Sequence, residues 1–486
     1  MRIGRLIYAA GLGLCISCLA SAAVLAAQAG WVSENGAVRY VDSSGNYVKN
    51  AWRDSEGKRY YLDSNGEAAV NTWIDNTYYV DSKGVMVSNA WIHDSGESGL
   101  KAEGWYFLGK DGRAASEGWR TVEGARYCFD KDGKMRTGWH YEKGDIYYLG
   151  DEDQGYVSTG WHCLAYDEKN RPKEGEFSKE YEEDQEGAAW FYFQSTGKAK
   201  RSGSGKYQAA AIQDKKYYFD ENGVMLTGWH AVRETAEPGD KEGISRFVYL
   251  GGKDEGVLKK QWMKLKEHPA DSVDGGILLS SGSTYKGPRK GQEEWYYLES
   301  DGTPAFLNSQ ETFIGRAAAK IGGEAYFFDT YGCLQTGLVR INAGGSGQTG
   351  YFGENREDAF MRVGKVKNVQ DKAGRQWDFC FGSTGSAKGV GHTGEKDGFL
   401  YADGVLVKAE EGSDYQAFDV GGRIYLVNEA GKVQSEDKAY ESNGKYAYKI
   451  KDDVVYTADE KGNKGAEVKT GAPLPKVTFD YVYTVN

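Results

Sequence analysis

From Trp31 onward the chain returns to tryptophan about every 20 residues, and each return opens the same short pattern. "WVSENGAVRYVDSSGNYVKNA" (31–51), "WRDSEGKRYYLDSNGEAAVNT" (52–72) and "WIDNTYYVDSKGVMVSNA" (73–90) follow one another directly. After an expanded unit at Trp91 come "WRTVEGARYCFDKDGKMRTG" (119–138) and "WHYEKGDIYYLGDEDQGYVSTG" (139–160). Each unit is a tryptophan, a polar stretch with a turn, a short aromatic strand, and a second glycine turn. A run such as "EGKRYYLD" alternates polar and aromatic residues after a turn, as one strand of a half-buried hairpin does. A lone hairpin is marginal in water, so the units must bury one another's rings. The pattern predicts an all-β chain, an elongated solenoid of stacked β-hairpin repeats of about 20 residues.

Composition agrees: 67 Gly, 35 Tyr and 13 Trp stand against 7 Pro in 486 residues. Apolar burial then comes from rings on short strands rather than from leucine-rich helices. The register continues as "WYYLESDGTPAF" at Trp295, "AYFFDTYGCLQTG" at Ala325, "WDFCFGSTG" at Trp377 and "GGRIYLVNEAGKV" at Gly421, with the leading tryptophan lost after Trp262. The expected division is a repeat array over 30–337, a degenerate β-repeat region over 338–470, and a C-terminal tail or cap strand over 471–486. Charged insertions at 167–187, 234–243 and 264–293 read as surface loops.

Residues 1–29 read as a signal peptide. Arg2 and Arg5 precede an apolar run that ends in Ala27-Gln28-Ala29, a small-x-small cleavage site; the alternative is a retained membrane anchor. Cleavage predicts a secreted chain with no further membrane association. Removing residues 1–29 takes Arg2 and Arg5 and no acid from 60 basic and 71 acidic residues, which leaves a formal charge of −13. Such a surface repels nucleic acid. Cys128, Cys163, Cys333 and Cys380 lack metal-like or scaffold-like spacing and read as packing residues. Acids such as Asp220, Asp301 and Asp329 precede turn glycines without the dense pattern of a calcium loop, so turn chemistry is the better account. No metal and no cofactor are expected.

"GKRYYLDSNGEAAVNTW" and "DKKYYFDENGVMLTGW" resemble the cell-wall-binding repeat family, which includes choline-binding modules of Gram-positive surface proteins and the glucan- and carbohydrate-binding repeats of glucosyltransferases and clostridial toxins. The resemblance runs from Trp31 to about Gly337 and is weaker beyond. It implies a hairpin solenoid that attaches to choline-bearing teichoic acid or to wall polysaccharide. It also implies that a choline cage uses the tryptophan opening a repeat, the first aromatic of a "WYY"-like triplet, and an aromatic of the following repeat. Ring faces attract a quaternary ammonium by about 0.5–2 kcal/mol each, and sites in series add avidity.

The triplet's first place holds Val38, Arg59, Thr77, Arg126, Ile146, Lys216 and Phe247, and it is tryptophan at Trp105, Trp190 and Trp295. Most repeats therefore lack a complete cage, and an Arg or Lys there opposes a cationic ligand while still able to hydrogen-bond a sugar. The candidate cage is Trp91, Trp105 and Trp119. Trp161 with Trp190, and Trp262 with Trp295, supply two rings without an evident third. Tyr60, Tyr78, Tyr147 and Tyr217 begin tyrosine doublets, in which one ring faces inward and the other a groove or solvent. A ring recurring at one place in every repeat equally suits a hairpin core.

Enzyme chemistry is not expected. His140, His162 and His230 follow the repeat tryptophan in a slot that Arg53, Ile74 and Arg120 fill elsewhere, and His93, His268 and His392 form no zinc or Cys-His motif. With the repeats starting directly after the signal segment, only 338–486 offers space for a catalytic domain, and its strand-and-turn pattern argues against one. The reading is a non-catalytic wall-binding protein. Alternatives are an adhesive solenoid with a protein partner and the binding subunit of a wall hydrolase; end-to-end homodimers are a further expectation for an array without a polar cap.

Overall fold

The computed structural model describes residues 28–165, 188–203, 207–269, 288, 291–343, 346–471, 474 and 480–485. The cleavage site sought at 29–30 and the charged insertion at 167–187 thus fall at or outside its edges. The regular structure of the described residues is nearly all strand, with one four-residue α-helix, Ile314–Ala317. The chain divides into two compact units, residues 1–200 with 222–224, and residues 201–221 with 225–486.

In the first unit the sheets are separate two-stranded hairpins. Their first turns place two successive residues at positive φ, as at Asn35 (51°) and Gly36 (83°) or Glu123 (50°) and Gly124 (83°). That backbone matches the right-handed twist of the strands, which is why the turns read Asn-Gly, Glu-Gly or Lys-Gly. The second turn is built by an aspartate. Asp63 Oδ1 accepts the amides of Asn65 at 2.8 Å and Glu67 at 2.9 Å, and Gly66 follows at φ 82°. Asp81 and Asp130 repeat the device. These carboxylates hold turns, the role expected for Asp329, which accepts the amides of Tyr331 and Cys333 at 2.9 Å in the second unit.

Two contacts join each hairpin to the next. The opening tryptophan sits directly opposite the last residue of its own triplet and edge-on to the middle aromatic of the following one. Trp31 meets Tyr40 at 5.4 Å and Tyr60 at 5.1 Å; Trp52 meets Tyr61 at 5.2 Å and Tyr78 at 5.3 Å; Trp73 meets Tyr79 at 5.4 Å and Tyr106 at 5.2 Å. Edge-to-face pairs of this kind are worth about 0.5–1.5 kcal/mol beyond area burial. The second contact is backbone. The carbonyls of Val38, Arg59, Thr77, Trp105, Arg126 and Ile146 each accept, at 2.8 Å, an amide from the strand-like turn after the next hairpin, at Ala68, Met86, Ala114, Met135, Val157 and Ala199. The triplet's first place is held by its main chain, so its side chain can vary, from the exposed Arg59 to the buried Ile146.

The second unit begins with the same hairpins, Ala210–Ile212 with Lys215–Tyr217, Trp229–Ala231 with Phe247–Tyr249, and Gln261–Leu265 with Glu294–Leu298. The stretch 234–243, expected as a surface loop, buries Asp240, whose Oδ2 accepts the Ser245 amide at 2.7 Å. Beyond 338 the hairpins merge into larger sheets: five strands within 364–406 and four within 439–467, with the hairpin Tyr415–Val420 and Arg423–Asn428 between them. The C-terminal strand Tyr483–Val485 pairs in parallel with Val339–Ile341. The C-terminal tail thus pairs with the first strand beyond the repeat array expected over 30–337.

Candidate functional site

The hairpin of Ala90–Asp94 and Gly104–Leu108 carries two of the three tryptophans expected to form a cage. Trp91 lies opposite Phe107 and His93 opposite Trp105, so all four project from one face. Trp91 and Trp105 both pack on a cluster containing Tyr127, Phe129 and Met135. The third ring is Tyr127, whose centroid lies 4.8 Å from that of Trp91 at 58°. Trp119 is not brought to this face. It packs with Cys128, Tyr147 and Leu149 in the following groove, 4.9 Å from Tyr147. The correction has a simple cause: the stacking offset presents the middle aromatic of the next triplet to the preceding tryptophan, while the next tryptophan turns to its own successor.

The same offset places the other candidates. Tyr60, Tyr78 and Tyr147 each pack on the preceding repeat's tryptophan, so their role is contact between repeats. Tyr217 is buried opposite Ala210. Both rings of a doublet are thus engaged: in Tyr60-Tyr61 the first serves Trp31 and the second Trp52. Trp161 and Trp190 come together at 6.4 Å and 78°. Trp262 and Trp295 share a face of the hairpin Gln261–Leu265 and Glu294–Leu298, and Tyr326 of the next strand lies 4.9 Å from Trp262.

Several ring faces already carry a cation from the chain. Arg59 lies over Trp52 at 5.5 Å and Arg126 over Trp119 at 3.9 Å, both from the first place of the triplet. Lys101 reaches from the enlarged loop of its hairpin over Trp73 at 5.2 Å and Tyr106 at 5.4 Å, and donates to the Asp132 carbonyl at 2.6 Å. Burial draws the Lys101 ammonium below the usual lysine range. In the second unit Arg356 stands 3.7 Å over Trp262 and 5.2 Å from Trp295. A cation within about 6 Å of a ring centroid satisfies the attraction that a bound ammonium would use, so these faces are taken.

Beside Lys101 opens a cleft of about 800 Å³ lined by Asp75, Thr77, Lys101, Asp130, Asp132 and Lys134. Its wall mixes donors and acceptors, the composition that hydrogen-bonds a hydroxylated ligand. Tyr106 lies beneath, fully buried, with its hydroxyl donating to the Ala102 carbonyl at 2.8 Å and burial pushing its pKa up to about 12.

One pairing escaped the sequence. Cys128 Sγ and His140 Nε2 lie 3.8 Å apart. Burial pushes the thiol up and draws the imidazole down, so both stay neutral near pH 7, the reverse of what an activated thiolate needs. Cys333 and Cys380 are buried like Cys128, whereas Cys163 is exposed and departs from the packing role expected of it. His268 is wholly buried between the Tyr296 hydroxyl at 2.7 Å and the Gln292 carbonyl at 2.9 Å. Among the described residues no three His, Cys, Asp or Glu side chains gather in a metal-holding group.

Residues 46–85 and 67–135 match one choline-binding repeat family, residues 116–161 match a second, and residues 211–225 match a cell wall binding repeat family. Over 275 residues the chain is 26% identical to glucosyltransferase-I of Streptococcus downei, a match covering 48% of this chain and 16% of that protein's length. Choline binding protein F of Streptococcus pneumoniae is 20% identical, with 75% of this chain and 99% of that one covered at a TM-score of 0.34. The modular autolysin LytC of Streptococcus pneumoniae is 19% identical, with 64% of this chain and 55% of that one covered at a TM-score of 0.36.

Proposed function

We propose that this chain, which carries choline-binding repeats over 46–161 and a cell wall binding repeat over 211–225, is a secreted, non-catalytic protein that attaches to Gram-positive wall polymers through ring cages between hairpins. Repeats of this kind imply non-covalent binding to the cell wall or to choline and are typical of surface-associated proteins. The observation that carries the proposal is the convergence of Trp91, Trp105 and Tyr127 on one groove. A quaternary ammonium has no hydrogen to donate, so rings are what recognise it, at about 0.5–2 kcal/mol for each face. Trp105 supplies a ring at a place that holds Arg59 or Arg126 in other repeats, where the side chain itself is the cation.

The polar cleft beside Lys101 favours a second ligand class, a wall or glucan oligosaccharide, bound by Asp75, Asp130, Asp132 and Lys134. The two ligands are compatible, since a choline-bearing teichoic acid presents both on one polymer. The experiment is a pull-down of residues 30–486 with purified Gram-positive walls, eluted in parallel with choline and with wall or glucan oligosaccharides. Elution by choline that weakens in Trp105→Ala supports the cage. Elution by sugar alone moves the function to the cleft, and absence of wall binding refutes attachment.

A further inference from the structure

The cage of the second unit repeats the cross-strand register and the inter-repeat ring contacts of the first. Trp262 lies opposite Tyr297 as Trp91 lies opposite Phe107, and Trp295 opposite Lys264 as Trp105 lies opposite His93. Tyr326 stands 4.9 Å from Trp262 at 68°, and Tyr127 stands 4.8 Å from Trp91 at 58°. A second ring stacks on each tryptophan at 5.9 Å, Phe328 in one and Phe129 in the other. The backbone agrees as well: Tyr326 bridges to Phe360 as Tyr127 does to Tyr156.

The loops leading to those bridges differ. In the first unit the loop runs from Gly150 to Tyr156 through Asp151, Glu152 and Asp153; in the second it runs from Gly353 to Phe360, one residue longer, through Glu354, Asn355 and Arg356. The extra residue is taken up in a 3-10 turn, Arg356–Asp358, whose start is capped by the Asn355 side chain. That turn aims Arg356 into the cage: its guanidinium carbon lies 3.7 Å from the Trp262 centroid, 5.2 Å from Trp295 and 6.0 Å from Tyr326. Its Nε is buried with no hydrogen-bond partner. The ring faces hold this cation where a hydrogen-bond acceptor does not.

We propose that Trp262, Trp295 and Tyr326 form a complete quaternary-ammonium site kept shut by Arg356, so that one arginine lowers the ligand valency of the chain. The tethered guanidinium is present at an effective concentration that free choline in the millimolar range does not match. Removing it leaves three preformed faces and an opening of the size of the lost head group. The ligand class follows from the first cage, and to that extent the inference rests on the function proposed above.

The test is isothermal titration of the 30–486 chain and its Arg356→Ala and Arg356→Gln variants with choline chloride, at constant ionic strength. Near-UV circular dichroism checks the fold, and Arg356→Gln decides should the alanine variant not fold. The expected result is one additional choline site per chain, with a dissociation constant on the order of millimolar, abolished by adding Trp295→Leu. No additional site in a folded variant overturns the inference, as does an added site that survives Trp295→Leu. The two proposals fail separately. A parent chain that binds choline through Trp105 while Arg356→Ala gains nothing refutes only the plugged cage; a parent that binds none while Arg356→Ala binds one equivalent refutes only the first.

Discussion

Replacing Trp73 tests how the repeats are held together. Its ring is 5% exposed, meets Tyr79 of its own hairpin at 5.4 Å and Tyr106 of the next at 5.2 Å, and donates Nε1–H to Asp94 Oδ2 at 2.6 Å. Trp73→Ala deletes the ring and leaves a cavity, a loss of about 3–5 kcal/mol for a buried aromatic. Trp73→Phe keeps a ring and loses the hydrogen bond, which Asp94 can partly recover from water, at about 1–2 kcal/mol. In an array stabilised by nearest-neighbour interfaces the damage stays local. Hydrogen exchange of Trp73→Ala should show amides of 72–108 losing protection, while the hairpin 415–428 in the other unit keeps its own. Loss spread evenly over the first unit, or a Trp73→Phe cost equal to that of Trp73→Ala, would refute the reasoning.

Burial raises the Asp329 carboxyl to about 7, against an ordinary value of 3.8. The folded chain therefore binds the extra proton between about pH 4 and 7, and the stability this group allows is lost as pH rises through that window, by at most about 4 kcal/mol. Urea midpoints of the parent should fall relative to Asp329→Asn between pH 4.5 and 7.5; parallel curves would contradict the assignment. Gly133 sits at φ 79° where a Cβ would lie 2.6 Å from the Ala115 carbonyl oxygen, so Gly133→Ala should lower stability by about 1–3 kcal/mol in thermal unfolding. Thiol labelling of the native chain, signal segment removed, should modify Cys163 alone, with Cys128, Cys333 and Cys380 reacting only after denaturation; rapid native labelling at Cys128 would mean that its groove opens.

What the sequence by itself determined is local: the all-β class, the hairpin unit, the turn chemistry and the place of each opening tryptophan. These follow from glycine and asparagine at positive φ, aspartates folding back on their own amides, and a period of two along each strand, all decided within a few residues. What only the tertiary structure decided is which rings meet. Because successive hairpins are offset, Trp91 finds Tyr127 rather than Trp119, and Trp262 finds Tyr326, the third ring that sequence spacing does not reveal. Arg356 enters its cage from a turn farther along the chain, and Cys128 meets His140 of the next hairpin. The final strand Tyr483–Val485 is three residues long and pairs in parallel with Val339–Ile341, a contact with no period to announce it. Non-local packing chooses such partners by shape and burial, and those quantities exist only once the backbone has brought the repeats together.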